Sequence, residues 1–112
     1  MIGWSANAMI VEQRTYTFHP GKIPEFLGYY LPDALALQRR ILGNLLGYFS
    51  VEVGPLNQFV HLWGYESFEE RLRRRALLAA EPLWQQYLQR GMPLIQLMES
   101  KLLIPTPFSP LQ

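Results

Sequence analysis

The stretch Gln58–Arg75 limits the possible folds of this chain most strongly, because it predicts a strand that runs directly into a capped helix. Its first eight residues, Gln58–Tyr65, are rich in the aromatic and β-branched residues typical of strands. Ser67 then precedes Glu70 by three residues, which is the capping-box pattern of a helix N-terminus. Strand alternation places four ring-bearing side chains on one face of this strand: Phe59, His61, Trp63 and Tyr65.

Three other segments show strand patterns bounded by turn residues, at Met9–Phe18, Leu46–Val53 and Leu94–Ile104. Apolar residues at helical spacing predict a long helix over Ile23–Leu42. Pro32 lies inside that helix, where it removes a backbone donor and crowds the preceding turn. We therefore expect a kink there, or two helices end to end.

A second helical region follows Ser67, and Glu81-Pro82 opens a further helical segment. The apolar spacing after Ser67 predicts a buried stripe of Phe68, Leu72, Ala76 and Ala79. The Arg71–Arg75 cluster of this helix either binds a phosphate or an anionic surface or forms a solvated face paired with Glu66, Glu69 or Glu70, and we favour the solvated face.

The element order β-α-β-β-α-(α)-β predicts an α+β, ferredoxin-like subunit with one four-stranded antiparallel sheet and helices on one face. A chain of 112 residues suits a single domain. We place this domain at residues 9–110 and interpret residues 1–8 as an N-terminal extension.

Strand alternation also divides the side chains between the two faces of the sheet. The helix-covered face is predicted to carry Val11, Thr15, Phe49, Val51, Val53, Val60 and Leu62. The opposite face then collects Glu12, Arg14, Tyr16, Tyr48, Ser50, Glu52, His61 and Trp63. Because a bare face with these rings is a poor solvent surface, we expect a second copy to cover it and form a homodimer with a shared interior.

Composition excludes several classes of protein. The chain has no cysteine, which excludes disulfides, thiolate catalysis and cysteine-ligated metals, and its net charge of +1 gives no general attraction for nucleic acid. No apolar run reaches the ~20 residues of a membrane span. Residues 1–8 resemble neither a secretory signal nor an Arg-rich transit peptide, so we predict a cytoplasmic protein. No nucleotide fingerprint or metal-ligand spacing is present, so we predict no cofactor and no metal.

An ordered set of short motifs resembles the NIPSNAP family, within the dimeric α/β-barrel superfamily. The set is Glu12-x-Arg14-Thr15-Tyr16, Pro20-Gly21-Lys22, Glu52-x-Gly54-x-Leu56-Asn57, Val60-His61-Leu62-Trp63-x-Tyr65, Arg71-x-x-x-Arg75, Trp84 and Pro105-Thr106-Pro107-Phe108-Ser109-Pro110. The resemblance implies the ferredoxin-like subunit and the barrel dimer. It implies no particular reaction.

The candidate site residues each allow two interpretations. Glu12 and Arg14 form either a structural ion pair or an anion site in which Glu12 orients Arg14. His61 is either an acid–base catalyst or a histidine hydrogen-bonded to Glu12 or Glu52. Trp63, with Tyr16 and Tyr48, either stacks on a flat ligand or fills a core.

These alternatives lead to two hypotheses for function. In the first, a homodimer binds a small organic molecule, either neutral or anionic, in the barrel interior, with or without cofactor-independent catalysis. In the second, the domain is a non-catalytic interaction module whose polar interior only stabilises the dimer. An enclosed cavity lined by Arg14, His61 and Trp63 favours the first hypothesis, whereas a solid interior with these groups paired to each other favours the second.

Overall fold

The computed structural model describes residues 9–112; the predicted N-terminal extension, residues 1–8, lies outside the described residues. Four strands and four helices follow along the described chain in the order β-α-α-β-β-α-α-β. The strands are β1 (Ile10–Phe18), β2 (Asn44–Ser50), β3 (Gln58–Tyr65) and β4 (Ile95–Leu103). The helices are α1 (Ile23–Tyr29), α2 (Leu35–Leu42), α3 (Phe68–Ala79) and α4 (Pro82–Gly91).

The strands form one antiparallel sheet in the order β2-β3-β1-β4. Arg14 on the central strand β1 lies opposite His61 of β3 and Ser100 of β4. This arrangement confirms the predicted α+β, ferredoxin-like subunit. No helix within residues 9–112 is long and apolar enough to cross a membrane.

The long predicted helix is divided at Pro32, as expected. A π-helical turn, Tyr30–Ala34, separates α1 from α2 and contains the proline. Because Pro32 has no N–H to donate, the regular hydrogen-bond ladder stops there. The wider turn keeps Tyr30 buried, where its hydroxyl donates to the side chain of Gln38.

Strand β2 begins and ends earlier than predicted. It spans Asn44–Ser50, and its pairing with β3 is irregular between Leu45 and Gly47. Residues 51–57 form a loop in which Asn57 adopts a left-handed conformation with φ 62°. The Asn57 carbonyl accepts a 2.8 Å hydrogen bond from Phe18 N. Glu52 is therefore a loop residue and not a strand residue.

The sequence-based assignment of the two sheet faces is wrong. The helix-covered face carries the polar and aromatic set, since Arg71 of α3 contacts Glu12 directly and ring contacts connect Tyr16, Tyr48, Phe59 and His61 to one another. Large rings supply the volume that fills the space between a sheet and its helices. The strand residues that were predicted to lie under the helices face the opposite, uncovered side of the sheet instead. On that side Val11, Leu62 and Leu103 line one groove.

The predicted buried stripe of α3 is also wrong. Phe68 and Leu72 are 47% and 50% exposed, and Ala76 and Ala79 are exposed as well. Leu78 is the buried apolar residue of this helix, at 1% exposure, and Arg71 points to the sheet. The orientation of α3 about its own axis is explained by the buried carboxylate on β1, because Glu12 needs a cationic partner from the helix that covers it.

Candidate functional site

Glu12 is the centre of a buried ionic network. Arg71 approaches its carboxylate with two donors, Nε at 3.2 Å and Nη2 at 2.8 Å. Arg14 Nη1 donates at 3.0 Å and Ser100 Oγ at 2.6 Å. Burial alone would raise the pKa of Glu12, but the hydrogen bonds from Arg71 and Ser100 and the charge of Arg14 lower that pKa to about 2. Glu12 is therefore an anion at neutral pH.

Arg14 connects this network to an aromatic wall. Its Nε donates to the Tyr16 hydroxyl at 3.2 Å, and its guanidinium carbon lies 5.5 Å from the Tyr16 ring centroid. Burial alone would lower the pKa of Arg14, but its contacts with Tyr16 and Glu12 raise it overall. Arg14 is a permanent cation that shares one carboxylate with Arg71.

Arg75 lies one helical turn after Arg71 and has a different environment. Its Nη1 atom is enclosed and finds no hydrogen-bond partner within residues 9–112. The hydroxyl of Tyr65, whose pKa burial raises, is enclosed as well, and it lies beside the Arg75 guanidinium, which acts to lower that pKa. Around Glu12 the described residues thus place one carboxylate among three guanidinium groups, those of Arg14, Arg71 and Arg75.

Arg14 and Arg75 both line a cleft of about 200 Å³ between the sheet and helices α3 and α4. Three aromatic side chains form its walls: Tyr16, Trp84 and Tyr87. Trp84 and Tyr87 contact each other, with ring centroids 4.8 Å apart. Aliphatic and thioether side chains complete the lining: Leu88, Met92, Ile95 and Met98. The cleft therefore combines two cations with flat and polarisable apolar surfaces.

Two larger surface grooves are weaker candidates. One, of about 350 Å³, lies between α1 and α4 and contains both Asp33 and Arg90, with Arg90 over the Tyr29 ring at 5.8 Å. The other, of about 320 Å³, contains Glu66, Glu70 and Arg74. Arg74 already pairs with Glu70 at 2.8 Å. In neither groove does a cation stand in excess over carboxylates.

His61 and Trp63 are sealed from solvent, each at 0% exposure. Trp63 Nε1–H donates to His61 Nδ1 at 2.7 Å, so the hydrogen-bond pattern assigns the imidazole proton to Nε2. The Tyr48 ring stacks on His61 at 4.4 Å, and the Tyr16 ring meets it edge-on at 4.7 Å. Burial, helped by the charge of Arg14, lowers the pKa of His61 to about 3.

A neutral and enclosed imidazole is suited to hydrogen bonding, not to carrying a proton to a ligand in the cleft. The Nε2 atom of His61 and the hydroxyl of Tyr48 are both enclosed without a partner among residues 9–112. The catalytic role predicted for His61 stays a prediction, and the geometry supports a structural role for this residue.

Six of the seven predicted site residues come together under the helices: Glu12, Arg14, Tyr16, Tyr48, His61 and Trp63. Glu52 does not join them, because it is exposed in the loop after β2. Sequence analysis favoured a solvated face over an anion site for Arg75, and it missed Tyr87 and Met98 as lining residues. Trp84 and Tyr87 lie three residues apart on α4, a spacing that could have indicated a shared face, whereas Met98 carries no comparable signal.

The described part of the chain offers no group of three or more His, Asp or Glu side chains that could hold a metal ion. The described residues that line the cleft offer guanidinium, hydroxyl and aromatic groups. Groups of these kinds are suited to organic anions.

Comparison with known proteins agrees with this architecture. The NIPSNAP family model matches residues 11–110. A NipSnap homolog from Dictyostelium discoideum is 40% identical over 96 residues, which cover 84% of this chain and 41% of that protein. The human NipSnap homolog 2 is 36% identical over 92% of this chain. This chain spans about two fifths or less of the length of these two relatives, with 41% of the first covered and 35% of the second.

Solved structures extend the comparison to the fold. The crystal structure of a NIPSNAP family protein from Agrobacterium tumefaciens is 45% identical, with a TM-score of 0.89 over 93% of this chain and 99% of that one. A protein described as a putative antibiotic biosynthesis monooxygenase, from Bacteroides thetaiotaomicron, has a TM-score of 0.63 at 19% identity, covering 95% of each chain. The second similarity concerns the fold alone.

Proposed function

This chain belongs to the NIPSNAP family, and we propose that it binds a small organic anion in the cleft between its sheet and helices α3 and α4. The site lies within one subunit. This differs from the sequence-based hypothesis, which placed the ligand between two sheets in the interior of a barrel, because the polar face of the sheet is the face that the helices cover.

The excess of guanidinium groups over carboxylates carries the proposal. Glu12 is saturated by Arg14, Arg71 and Ser100, and no described carboxylate pairs with Arg75. A half-enclosed cation without a counter-ion is costly, and a ligand anion supplies the missing partner. The cleft is lined by Arg14 but not by His61 or Trp63, which pair with each other, so a purely structural interior accounts for those two residues and for Glu12 and Arg71. It leaves Arg75, without a carboxylate partner, beside an open cleft.

The proposal concerns binding and not turnover. Of the groups that could transfer a proton, His61 is sealed and neutral, and Glu12 is held as an anion by its three partners. Reversible binding needs only the cations and the aromatic walls. Cofactor-independent catalysis would have to use the hydroxyl of Tyr16 or Tyr87, because the described lining of the cleft includes no His, Asp or Glu side chain.

Methyl NMR of the methionines tests the proposal directly. Protein with ¹³C-methyl methionine is titrated with benzoate, hexanoate, benzenesulfonate and phenyl phosphate. We expect at least one of these anions to shift the Met92 and Met98 signals in a saturable manner, because both side chains line the cleft. Met9 lines a different groove and serves as the internal control.

A pair of variants on α3 sharpens the result. Arg75→Met should weaken binding at least 10-fold, whereas Arg73→Met should not, because Arg73 is exposed and pairs with Glu70. If no organic anion shifts the two cleft methionines, or if Arg73→Met weakens binding as much as Arg75→Met, the proposed function is wrong.

We also propose that the bare face of the sheet is covered by the same face of a second copy. Phe49 is 55% exposed, Leu97 52% and Leu103 39%, and Val60 and Leu62 lie between them on β3. Gln13 and Thr15 of β1 and Glu99 and Lys101 of β4 share this face, and such a mixture of apolar and polar side chains is typical of interfaces between proteins. The cleft lies on the other side of the sheet, so this homodimer leaves the cleft open.

A further inference from the structure

We infer that the ligand of this cleft is an aromatic monocarboxylate, a single flat ring bearing one carboxylate, and that Arg75 is the residue that binds the carboxylate. The inference rests on the proposed function and narrows it to one chemical class. Three features of the cleft point to this class: its one unpartnered guanidinium, its aromatic walls and its size.

The ion pairs that the three arginines make, or do not make, indicate the charge of the ligand. Arg14 and Arg71 share the Glu12 carboxylate, with nitrogen–oxygen distances of 3.0 and 2.8 Å. Arg75 lines the cleft, and no carboxylate of the described chain pairs with it. A planar guanidinium matches a planar carboxylate in two parallel hydrogen bonds. One available guanidinium suits a monoanion.

A phosphate group fits the cleft less well. Phosphate sites commonly use backbone N–H groups at a helix N-terminus or in a glycine-rich loop. The lining of this cleft includes no glycine, and α4, the helix that contributes Trp84 and Tyr87, begins with Pro82, which has no N–H. Side chains, rather than backbone donors, form the polar part of the lining.

The apolar part of the ligand follows from the walls. Tyr16, Trp84 and Tyr87 offer ring faces and edges, and Met92 and Met98 offer thioethers, which contact aromatic rings favourably. The volume of about 200 Å³ lies below the ~300–1,000 Å³ typical of pockets for drug-sized ligands. One ring with its carboxylate is the size class that such a cleft accepts.

A matched series of ligands tests the inference without altering the fold. Dissociation constants are measured for benzoate, cyclohexanecarboxylate, benzyl alcohol, phenyl phosphate and acetate, by the methionine methyl titration or by calorimetry. We expect benzoate to bind at least 10-fold more tightly than benzyl alcohol, phenyl phosphate or acetate. It should also bind at least 3-fold more tightly than cyclohexanecarboxylate, whose ring is not flat.

Variants at Arg75 test the assigned role. Arg75→Lys keeps the charge but loses the planar fork, so we expect benzoate to bind about 10-fold more weakly. Arg75→Met should bind benzoate no better than wild-type protein binds benzyl alcohol. Arg73→Lys is the matched control on the same helix and should leave benzoate binding unchanged.

The outcomes separate this inference from the proposed function. If phenyl phosphate or hexanoate binds at the cleft methionines as tightly as benzoate, the assignment of the ligand as an aromatic monocarboxylate is wrong, but the proposal of an organic-anion site is supported. If benzoate binds equally well to Arg75→Met and wild type, the role of Arg75 is wrong. If no anion in either series reaches the cleft, both proposals fail.

Discussion

At the scale of single residues, two buried ionisable groups have opposite charge states. Glu12 is kept charged by three donors, whereas His61 is kept neutral by burial beside Arg14. Both groups have a lowered pKa, so both make the folded protein sensitive to acid. They act in different pH ranges, because the unfolded histidine titrates near 6.5 and the unfolded glutamate near 4.5.

We predict that stability falls between pH 7.5 and pH 5 because of His61. The unfolded chain takes up a proton on this histidine below pH 6.5, but the folded chain does so only near pH 3. Stability from this group is therefore complete above pH 6.5 and lost as the pH falls, by about 2 kcal/mol at pH 5. Urea unfolding at several pH values measures this slope.

The control for this prediction is His61→Gln, which cannot take up the proton. Its stability should be lower than that of wild type at pH 7.5 but nearly flat from pH 7.5 to 5. An equal slope in both proteins would show that another group causes the acid sensitivity.

Replacing the central carboxylate should be strongly destabilising. Glu12→Gln leaves the guanidiniums of Arg14 and Arg71 buried against a neutral amide. Removing one partner of a buried pair costs ~3–5 kcal/mol of unfolding free energy. Chemical denaturation at pH 7 provides the measurement. Glu70→Gln is the matched control, since Glu70 pairs with Arg73 and Arg74 near the surface and should change stability little; equal losses in the two variants would contradict the central role of Glu12.

At the scale of elements, α3 combines a capped N-terminus with an arginine that reaches the buried carboxylate of Glu12. Its N-terminus is capped by Ser67, whose Oγ accepts from Glu70 N at 3.1 Å. The Glu70 side chain bonds Arg73 and Arg74 instead of returning to the cap, so only half of the predicted capping box forms. The inward turn of the helix then delivers Arg71 to Glu12. A well-defined helix start fixes where these arginines meet the sheet.

Loss of the cap should be measurable but modest. Ser67→Ala removes the acceptor for Glu70 N and should lower the unfolding free energy by ~1 kcal/mol, whereas Ser67→Gly should cost only a few tenths. Urea denaturation of the two variants compares them. A Ser67→Ala protein as stable as wild type would show that the hydrogen bond to the cap contributes nothing.

At the scale of the whole molecule, the two faces of the sheet carry different side chains. The helix-covered face holds the ionic network and the cleft, and the bare face presents Phe49, Leu97 and Leu103 to solvent in the single chain. Burying those side chains against a second copy removes apolar surface from water, which is the main favourable term in protein association. A dimer built this way keeps one cleft per subunit.

Light scattering at micromolar concentration tests this assembly, with twice the mass of one chain expected. Leu97→Glu places a charge in the proposed interface and should give a monomer. Leu72→Glu is the control, because Leu72 is equally exposed, at 50%, but lies on α3 away from the bare face. A wild-type protein that is a stable monomer at this concentration would overturn the proposed dimer, and with it the barrel expected from the sequence.

Local chemistry made much of the fold predictable. Ser67 starts its helix where the capping pattern indicates, Pro32 divides the long helix, and β3 occupies the predicted Gln58–Tyr65. Each of these features depends on neighbours in sequence, so single-chain patterns are enough to find them. The end of β2 was less predictable, since the strand stops at Ser50, several residues before the Gly54-Pro55 turn signal. The cytoplasmic location stays a prediction.

The sequence by itself determined the order of the elements and which side chains share a strand face, because both follow from local spacing. Only the tertiary structure decided which face the helices cover. Alternation defines two sets of side chains but gives neither set a direction, and the choice depended on ring volume and on Arg71 meeting Glu12. The cleft also depends on the tertiary structure. Only the packing of the helices on the sheet shows that Arg75 lines this cleft and that its Nη1 atom has no hydrogen-bond partner among the described residues.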